Sequence, residues 1–506
     1  LLLALATLIT AVAKKLNQPY PIALVVVGAI IGLVPIAGLE SLKDFVAEDE
    51  VFRFAIISIF LPTLLGEATL KLPFTHLKTN QKPILALAFG GTLLSYVLIG
   101  FSSNIFLDLS IPVAFVFAAL MSATDPVSVI SIFKSVGVDN RLATVIEGES
   151  LFNDGIAVVL FSISAFHLIQ YMDAGWIGFG YGLLEFIKVA AGGLIIGGVL
   201  AFLFSQLIRF FDDYPLEIVI SMLLFYGSFF IAEHFHVSGV IAVVTAGLIF
   251  GNYGAKIGMT PTTKLNINSF WDVLALLANS LVFLMVGLEI TRINMSDKWG
   301  LIAIAIGIVI VSRSVAVYGS LAYVRNIPST WKHVLNWGGL KGSLSIALAL
   351  SLPHDFAGRE EVLVLTFSVV LFSLVVQGLT IKPLIAWLKV KAVQKGITEY
   401  EEAISRIHRN MNAIDRLKMM KEEALISNVV YEKLDQEYEE KLGQGYITLE
   451  QLYVTYPHLK EEQLEMARVQ ALYSEREAVE KLARRHIISD SVAEKERERV
   501  IDLLES

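Results

Sequence analysis

Long apolar stretches recur along this chain with short polar breaks between them. A window of about 20 residues, the length of helix that crosses a bilayer, picks out thirteen candidate spans. They fall near 1–16, 20–37, 52–69, 84–106, 111–133, 142–169, 182–209, 214–233, 236–252, 268–291, 300–324, 333–352 and 361–388. Pro21 opens the second, and the pairs Gly192-Gly193 and Gly197-Gly198 allow close helix packing in the seventh. Leu1 to Lys15 reads as the remainder of a first span and not as a signal peptide. Near residue 390 the pattern changes. Helical periodicity runs through Tyr400–Leu442, breaks at Gly443-Gln444-Gly445 and resumes from Thr448, without apolar runs of span length. The expected architecture is an all-α polytopic membrane domain over 1–390 and a helical cytosolic domain, a candidate regulatory tail, over 391–506.

Thirteen spans permit two six-helix halves of opposite topology, helices 1–6 and 8–13, with helix 7 as the connector. Helix 5, which carries Asp125-Pro126, then corresponds to helix 12, which carries Gly338-Gly339-Leu340-Lys341-Gly342. Interrupted spans at matching places in inverted halves point to a transporter site. No primary-sequence repeat accompanies the match, so topology alone carries it. Loop charges set the orientation. With the N-terminus outside, the cytoplasmic loops hold Lys14, Lys15, Lys71, Lys78, Lys82, Lys134, Arg141, Arg209, Lys256, Lys264, Arg325 and Lys332, while the opposite loops hold Lys43, Arg292, Lys298 and Arg359, with Arg53 and Lys188 near them, and are mostly acidic. The C-terminal tail, from Lys389-Val390-Lys391, is then cytoplasmic.

Composition agrees with this picture: 506 residues, 55% hydrophobic and 17% charged, with a mean hydropathy of +0.65. The chain has no cysteine, which excludes disulfides, thiolate metal sites and a cysteine nucleophile. The tail holds 24 acids against 18 lysines and arginines, six of the eight net negative charges, and reads as a solvated helical domain. It carries no glycine-rich phosphate loop, zinc spacing or nucleotide fingerprint. Its basic cluster Arg484-Arg485-His486 is short and reads as a solvated face.

Against this apolar background, charged residues within spans stand out, because each costs several kcal/mol unless paired, protonated or bound to a cation. Pro126 removes a backbone donor and crowds the carbonyl four residues earlier. The break frees carbonyls beside the oxygens of Thr124 and Asp125, the hard-ligand chemistry that monovalent cations prefer. The plainer alternative is a proline kink with an Asx or Thr cap. In helix 6, Glu149 and Asn153 are four apart and share a face, and Asp154 lies about 100° further round. Asp154 sits among Leu151, Phe152, Ile156, Ala157 and Val158, a setting that suits a group carrying either a proton or a cation. Glu149 needs a counter-charge, and the mid-span arginine is Arg313 in helix 11; a Glu149–Arg313 ion pair is expected. Lys341 is a second intramembrane cation, with snorkelling to the interface as the alternative. Glu67 and Glu289 read as interfacial, Glu147 as peripheral, and His234 and His236 as surface residues of a short outer loop. No nucleophile–base motif or metal-site spacing supports an enzyme.

The stretch Glu147-Gly148-Glu149-Ser150-Leu151-Phe152-Asn153-Asp154-Gly155, with Thr124-Asp125-Pro126, resembles the monovalent cation:proton antiporters of the NhaP/NHE group. Ser238-Gly239, Gly338-Gly339-Leu340 and Val376-Gln377-Gly378-Leu379-Thr380-Ile381 add to the likeness, which covers residues 1–390. The resemblance implies the thirteen-helix NhaA/NHE-like fold, a homodimer, and a core domain moving against a dimerisation domain. It implies Asp154 as the aspartate that binds sodium or a proton, helped by Asn153, Ser150, Thr124 and Asp125, with Glu149 and Arg313 as a structural pair. The Asn-Asp pair implies electroneutral one-for-one exchange, so the expected function is a sodium(lithium)/proton antiporter of the cell membrane serving pH homeostasis. Its cargo is sodium and protons, it needs no cofactor, and Asp154, Asp125 and Thr124 are the expected sodium ligands. Potassium/proton exchange on the same fold, or a tail-regulated cation channel or sensor, are the alternatives. Where the family commonly has arginine in Gly-Gly-Leu-Arg-Gly, this chain has Lys341, which keeps the charge and loses the planar fork.

Overall fold

The computed structural model describes residues 2–15, 20–33, 54–211, 213–290, 298–324, 327–390, 397–485 and 487–505. The chain divides into two compact units, Leu1–Lys391 and Ala392–Ser506.

The first unit is a bundle of apolar helices. α1 (Leu2–Lys15) and α2 (Tyr20–Leu33) are followed by α3 (Phe54–Lys71) and α4 (Gln81–Phe106). α5 (Ile111–Ser122) and α6 (Val127–Val136) are the halves of one interrupted element, and α7 (Asn140–Phe166) comes next. α8 (Gly175–Ile208), α9 (Tyr214–His234), α10 (Gly239–Ile257), α11 (Pro261–Ile290) and α12 (Trp299–Ser320) continue the bundle. A second interrupted element, α13 (Ser329–Trp337) and α14 (Ser343–Leu350), precedes α15 (Arg359–Trp387).

Helices lie at all thirteen expected positions, but among the described residues ten are long and apolar enough to cross a membrane. α1 and α2 are shorter, and neither half of α13–α14 reaches span length. Parts of the expected spans (1, 16, 34–37, 52–53 and 291) lie outside the described residues.

Burial separates the centre of the bundle from its rim. Every residue of α5 from Val113 to Ser122 is buried, the signature of a helix surrounded by others. It packs on α4 and α7. α8 is the opposite case: only 17% of its apolar window is buried. One side of α8 presses Gly193 and Gly197 against the backbone of α10 and the residue before it, where an added Cβ would meet the carbonyls of Ser238 and Ala242. The opposite face shows Leu194, Ile195, Phe202 and Leu203 outward. α8 also starts earlier than the expected residue 182, because Gly175–Tyr181 is itself apolar and aromatic.

The second unit is helical, as composition indicates, but its break falls elsewhere. α16 (Ile397–Glu422) and α17 (Asn428–Thr455) pack together, followed by α18 (Pro457–Arg484) and α19 (Asp490–Glu505). The expected break at Gly443-Gln444-Gly445 is absent, and α17 runs straight through it. Gly445 faces Ile407 of α16, where a Cβ would lie 2.8 Å from Cγ1, so this glycine serves close packing. The turn comes at 423–427 instead. Ala424 adopts a left-handed φ of 54°, and the Ser427 hydroxyl accepts from Val430 N to cap α17.

Candidate cation site

The two interrupted elements meet at their breaks. α5 stops at Ser122 because Pro126 cannot continue its hydrogen-bond ladder, and Ala123 turns extended (φ −65°, ψ 148°). α13 stops at Trp337, and the glycine-rich run to Gly342 leads into α14. Asp125 N donates to the Leu340 carbonyl at 2.7 Å, so each break meets a backbone need of the other. Gly342 lies against the Asp125 side chain, which leaves no room there for a Cβ.

Ending a helix inside the bundle leaves carbonyls without intrahelical donors and gathers negative dipole charge. Lys341 answers both. Its Nζ donates to Met121 O at 2.5 Å and Ala123 O at 3.0 Å, and the residue is 3% exposed. The snorkelling alternative is thereby corrected: the ammonium points inward, to carbonyls that would otherwise be unmet. Two carbonyls need point-like donors and no planar fork, which is why lysine suffices here. Ser345 donates to Leu120 O at 2.7 Å, and Lys341 N donates to Ser373 Oγ at 2.9 Å. Sequence reading missed both serines, since a hydroxyl in an apolar helix most often bonds its own backbone.

α7 supplies the facing wall. Asn153, fully buried, donates through Nδ2 to Thr124 Oγ1 at 2.7 Å, and its Oδ1 lies 3.4 Å from Thr124 N. Thr124 Oγ1 and Ser150 Oγ are 3.0 Å apart. Asp125 accepts from Val127 N through Oδ1 at 2.9 Å, the Asx-type cap named as the plainer alternative. Its Oδ2 makes no hydrogen bond to another described residue. Asp154 is partly buried, and its carboxylate makes no hydrogen bond or ion pair among the described residues. It lies within electrostatic reach of Asp125 and Lys341.

Glu149, one turn before Asn153 on α7, is committed to Arg313. Arg313 Nη1 donates to Glu149 Oε1 at 2.5 Å, and Nη2 to the Leu335 carbonyl at 3.2 Å. Thr124, Asp125, Ser150, Asn153, Asp154, Glu149, Arg313 and Lys341 are thus brought to one region around the two breaks.

The residues set aside lie elsewhere. Glu67 pairs with Lys71 at 2.8 Å, and Lys71 also binds Asp272. His234 and His236 are exposed at the end of α9, and Glu147 is partly buried. The Glu289 side chain lies outside the described ones. Among the described residues no three His, Asp or Glu side chains converge as a metal cluster. The site offers hydroxyl, amide and carboxylate oxygens, a donor set that suits a hard cation.

The family model for the transmembrane sodium/hydrogen exchanger matches residues 1–387. The chain is 62% identical over 494 residues to the Na(+)/H(+) antiporter NhaG of Bacillus atrophaeus, covering 98% of this chain and 94% of that one. It is 59% identical to the Na(+)/H(+) antiporter NhaH of Halobacillus dabanensis, covering 76% of this chain and 96% of the relative. The fold is similar to the sodium proton antiporter MjNhaP1 of Methanocaldococcus jannaschii, with a TM-score of 0.63 at 24% identity, over 76% of this chain and 96% of that one.

Proposed function

The chain belongs to the sodium/hydrogen exchanger family, and we propose that it is an electroneutral sodium(lithium)/proton antiporter working by alternating access. It is a multi-pass membrane protein and a transporter rather than an enzyme. The observation that carries the reading is the hydrogen-bonded set Asn153–Thr124–Ser150 beside the carboxylates of Asp125 and Asp154, at the crossing of two broken helices.

Charge counting supports one-for-one exchange. Three carboxylates (Asp125, Glu149, Asp154) face two cations (Arg313, Lys341), so the fully ionised site carries one net negative charge. One sodium ion or one proton neutralises it, and a charged site at membrane depth is the costly condition. Competition for Asp154 then couples the fluxes, since each ion leaves as the other replaces it. Thr124, Ser150 and Asp125 supply further oxygen ligands for sodium. Asn153 holds Thr124 in place, and Glu149–Arg313 fixes the architecture.

The meeting of two interrupted helices supports a thirteen-helix, inverted-repeat fold whose core rocks against a dimerisation domain. The family resemblance supports a homodimer in the membrane, and the outward apolar face of α8 suits contact with lipid or with a partner helix. Loop charges support an outside N-terminus and a cytoplasmic, regulatory tail. Export of sodium against proton uptake would serve pH homeostasis.

The test is proton movement in proteoliposomes on addition of sodium, lithium or potassium. Collapse of a pH gradient by sodium and lithium, unaffected by clamped voltage and lost in Asp154→Asn, is expected. Voltage-dependent exchange would overturn electroneutrality. An equal potassium response would move the assignment to a potassium/proton antiporter, and current without proton counterflow to a channel.

A further inference from the structure

Beside the crossing lies a cavity of about 10 Å³. Its polar lining comes from Arg313 on α12, Asn336 on α13, Lys341 in the second break and Gln377 on α15. Arg313 is 6% exposed and commits both terminal nitrogens, to Glu149 and to Leu335, while its Nε is buried without a partner among the described residues. Gln377 is 8% exposed, and its side chain makes no hydrogen bond to another described residue. It closes a π-helical turn, Ser373–Gln377, whose Ser373 already holds the backbone of Lys341. Asn336 donates through Nδ2 to Ser314 Oγ at 3.0 Å, which leaves Oδ1 as an acceptor.

A guanidinium N–H and two amide groups therefore line one small enclosure without bonding to one another. Of these, Arg313 Nε is the fully buried one left unmet among the described residues, at a cost of about 1–3 kcal/mol. A cavity of roughly this volume holds one water, and a buried water typically makes about three hydrogen bonds. Number, volume and donor–acceptor sense agree. We propose that this cavity is the binding site of a single structural water that accepts from Arg313 Nε and donates to Gln377 and Asn336.

The water joins α12, α13 and the π turn of α15, and so holds the third side of the guanidinium whose other sides meet Glu149 and Leu335. The π turn Ser373–Gln377 sets the register at which Gln377 reaches the cavity. The inference stands apart from the transport reading, because it needs only a buried arginine and its surroundings.

The experiment is a structure of the full chain prepared in bromide, at a resolution that shows ordered water, repeated for Gln377→Met. One peak within about 2.7–3.2 Å of Arg313 Nε, Gln377 and Asn336, with no anomalous signal, is expected in the native protein. In Gln377→Met the peak should be lost while Arg313 stays on Glu149. An anomalous peak would make this a halide site and overturn the proposal. So would no peak, the Gln377 amide bonded directly to Nε, or a peak that survives in Gln377→Met.

Discussion

Arg313 on α12 places Nη1 2.5 Å from Oε1 of Glu149 on α7, and the two side chains are 8% and 2% exposed. A buried ion pair is poor evidence of net stabilisation, but breaking one side of it is costly. Arg313→Ala leaves a carboxylate and the Leu335 carbonyl unmet, and a loss of about 3–5 kcal/mol is expected. Sodium affinity should change much less, because neither Arg313 nor Glu149 bonds to Thr124, Ser150, Asn153 or Asp154 among the described residues. Thermal unfolding in detergent, read beside sodium-dependent exchange, checks this. An unchanged midpoint would refute the structural role.

Asp154→Asn keeps the shape and removes the carried charge. We expect assembly to be intact and exchange to be abolished, measured as sodium-driven proton movement in proteoliposomes. A variant with full exchange would sink the mechanism, since Asp125 already accepts from Val127 N and Glu149 is paired with Arg313.

Thr124 receives the Asn153 amide and faces Ser150. Thr124→Val preserves the volume and removes the hydroxyl, leaving Asn153 without its acceptor at a cost of about 1–3 kcal/mol. The expected outcome is a raised sodium KM, of roughly 5- to 150-fold if that cost falls wholly on the sodium-bound form. Thr124→Ser retains the hydroxyl and should keep the native KM; loss of affinity in both variants would assign the effect to packing.

Lys341 donates to the carbonyls of Met121 and Ala123 at the end of α5. Lys341→Met should destabilise the crossing by several kcal/mol, about 1–3 for each abandoned carbonyl. Lys341→Arg keeps the charge and should lose less. Ranking the three proteins by thermal midpoint decides it, and equal midpoints would show that the carbonyls find other donors.

The legible parts of this protein are those where a charge interrupts an apolar run. Asp125, Asp154, Glu149 and Arg313 announce themselves by being costly at membrane depth, and the four-residue spacing of Glu149 and Asn153 places them correctly on α7. Lys341 was legible as a buried cation but not by its partners, because backbone carbonyls carry no sequence signature. Ser345, Ser373 and Gln377 were hidden for a related reason: single polar side chains are common in spans, and only the tertiary contact distinguishes them. Gly443 and Gly445 misled because glycine marks both turns and close helix contacts, and the sequence alone does not separate the two. The cap at Ser427 was the better signal of a turn.

Sodium and the proton should compete as the pH changes, and the direction follows from mass action. If one group, Asp154, must lose its proton before sodium binds, the apparent KM is the intrinsic one multiplied by 1 + [H⁺]/Ka. Above the pH of half-protonation that factor is near one and KM is flat. Below it, KM should rise about tenfold for each pH unit lost, while saturating sodium restores the rate. A slope near two would mean that Asp125 and Asp154 titrate together as a coupled pair, which their electrostatic proximity permits. Sodium titrations in proteoliposomes, at equal pH on both faces and over about three pH units, distinguish these cases. A KM that does not move with pH, with only the maximal rate falling, would show that the two ions do not share a site.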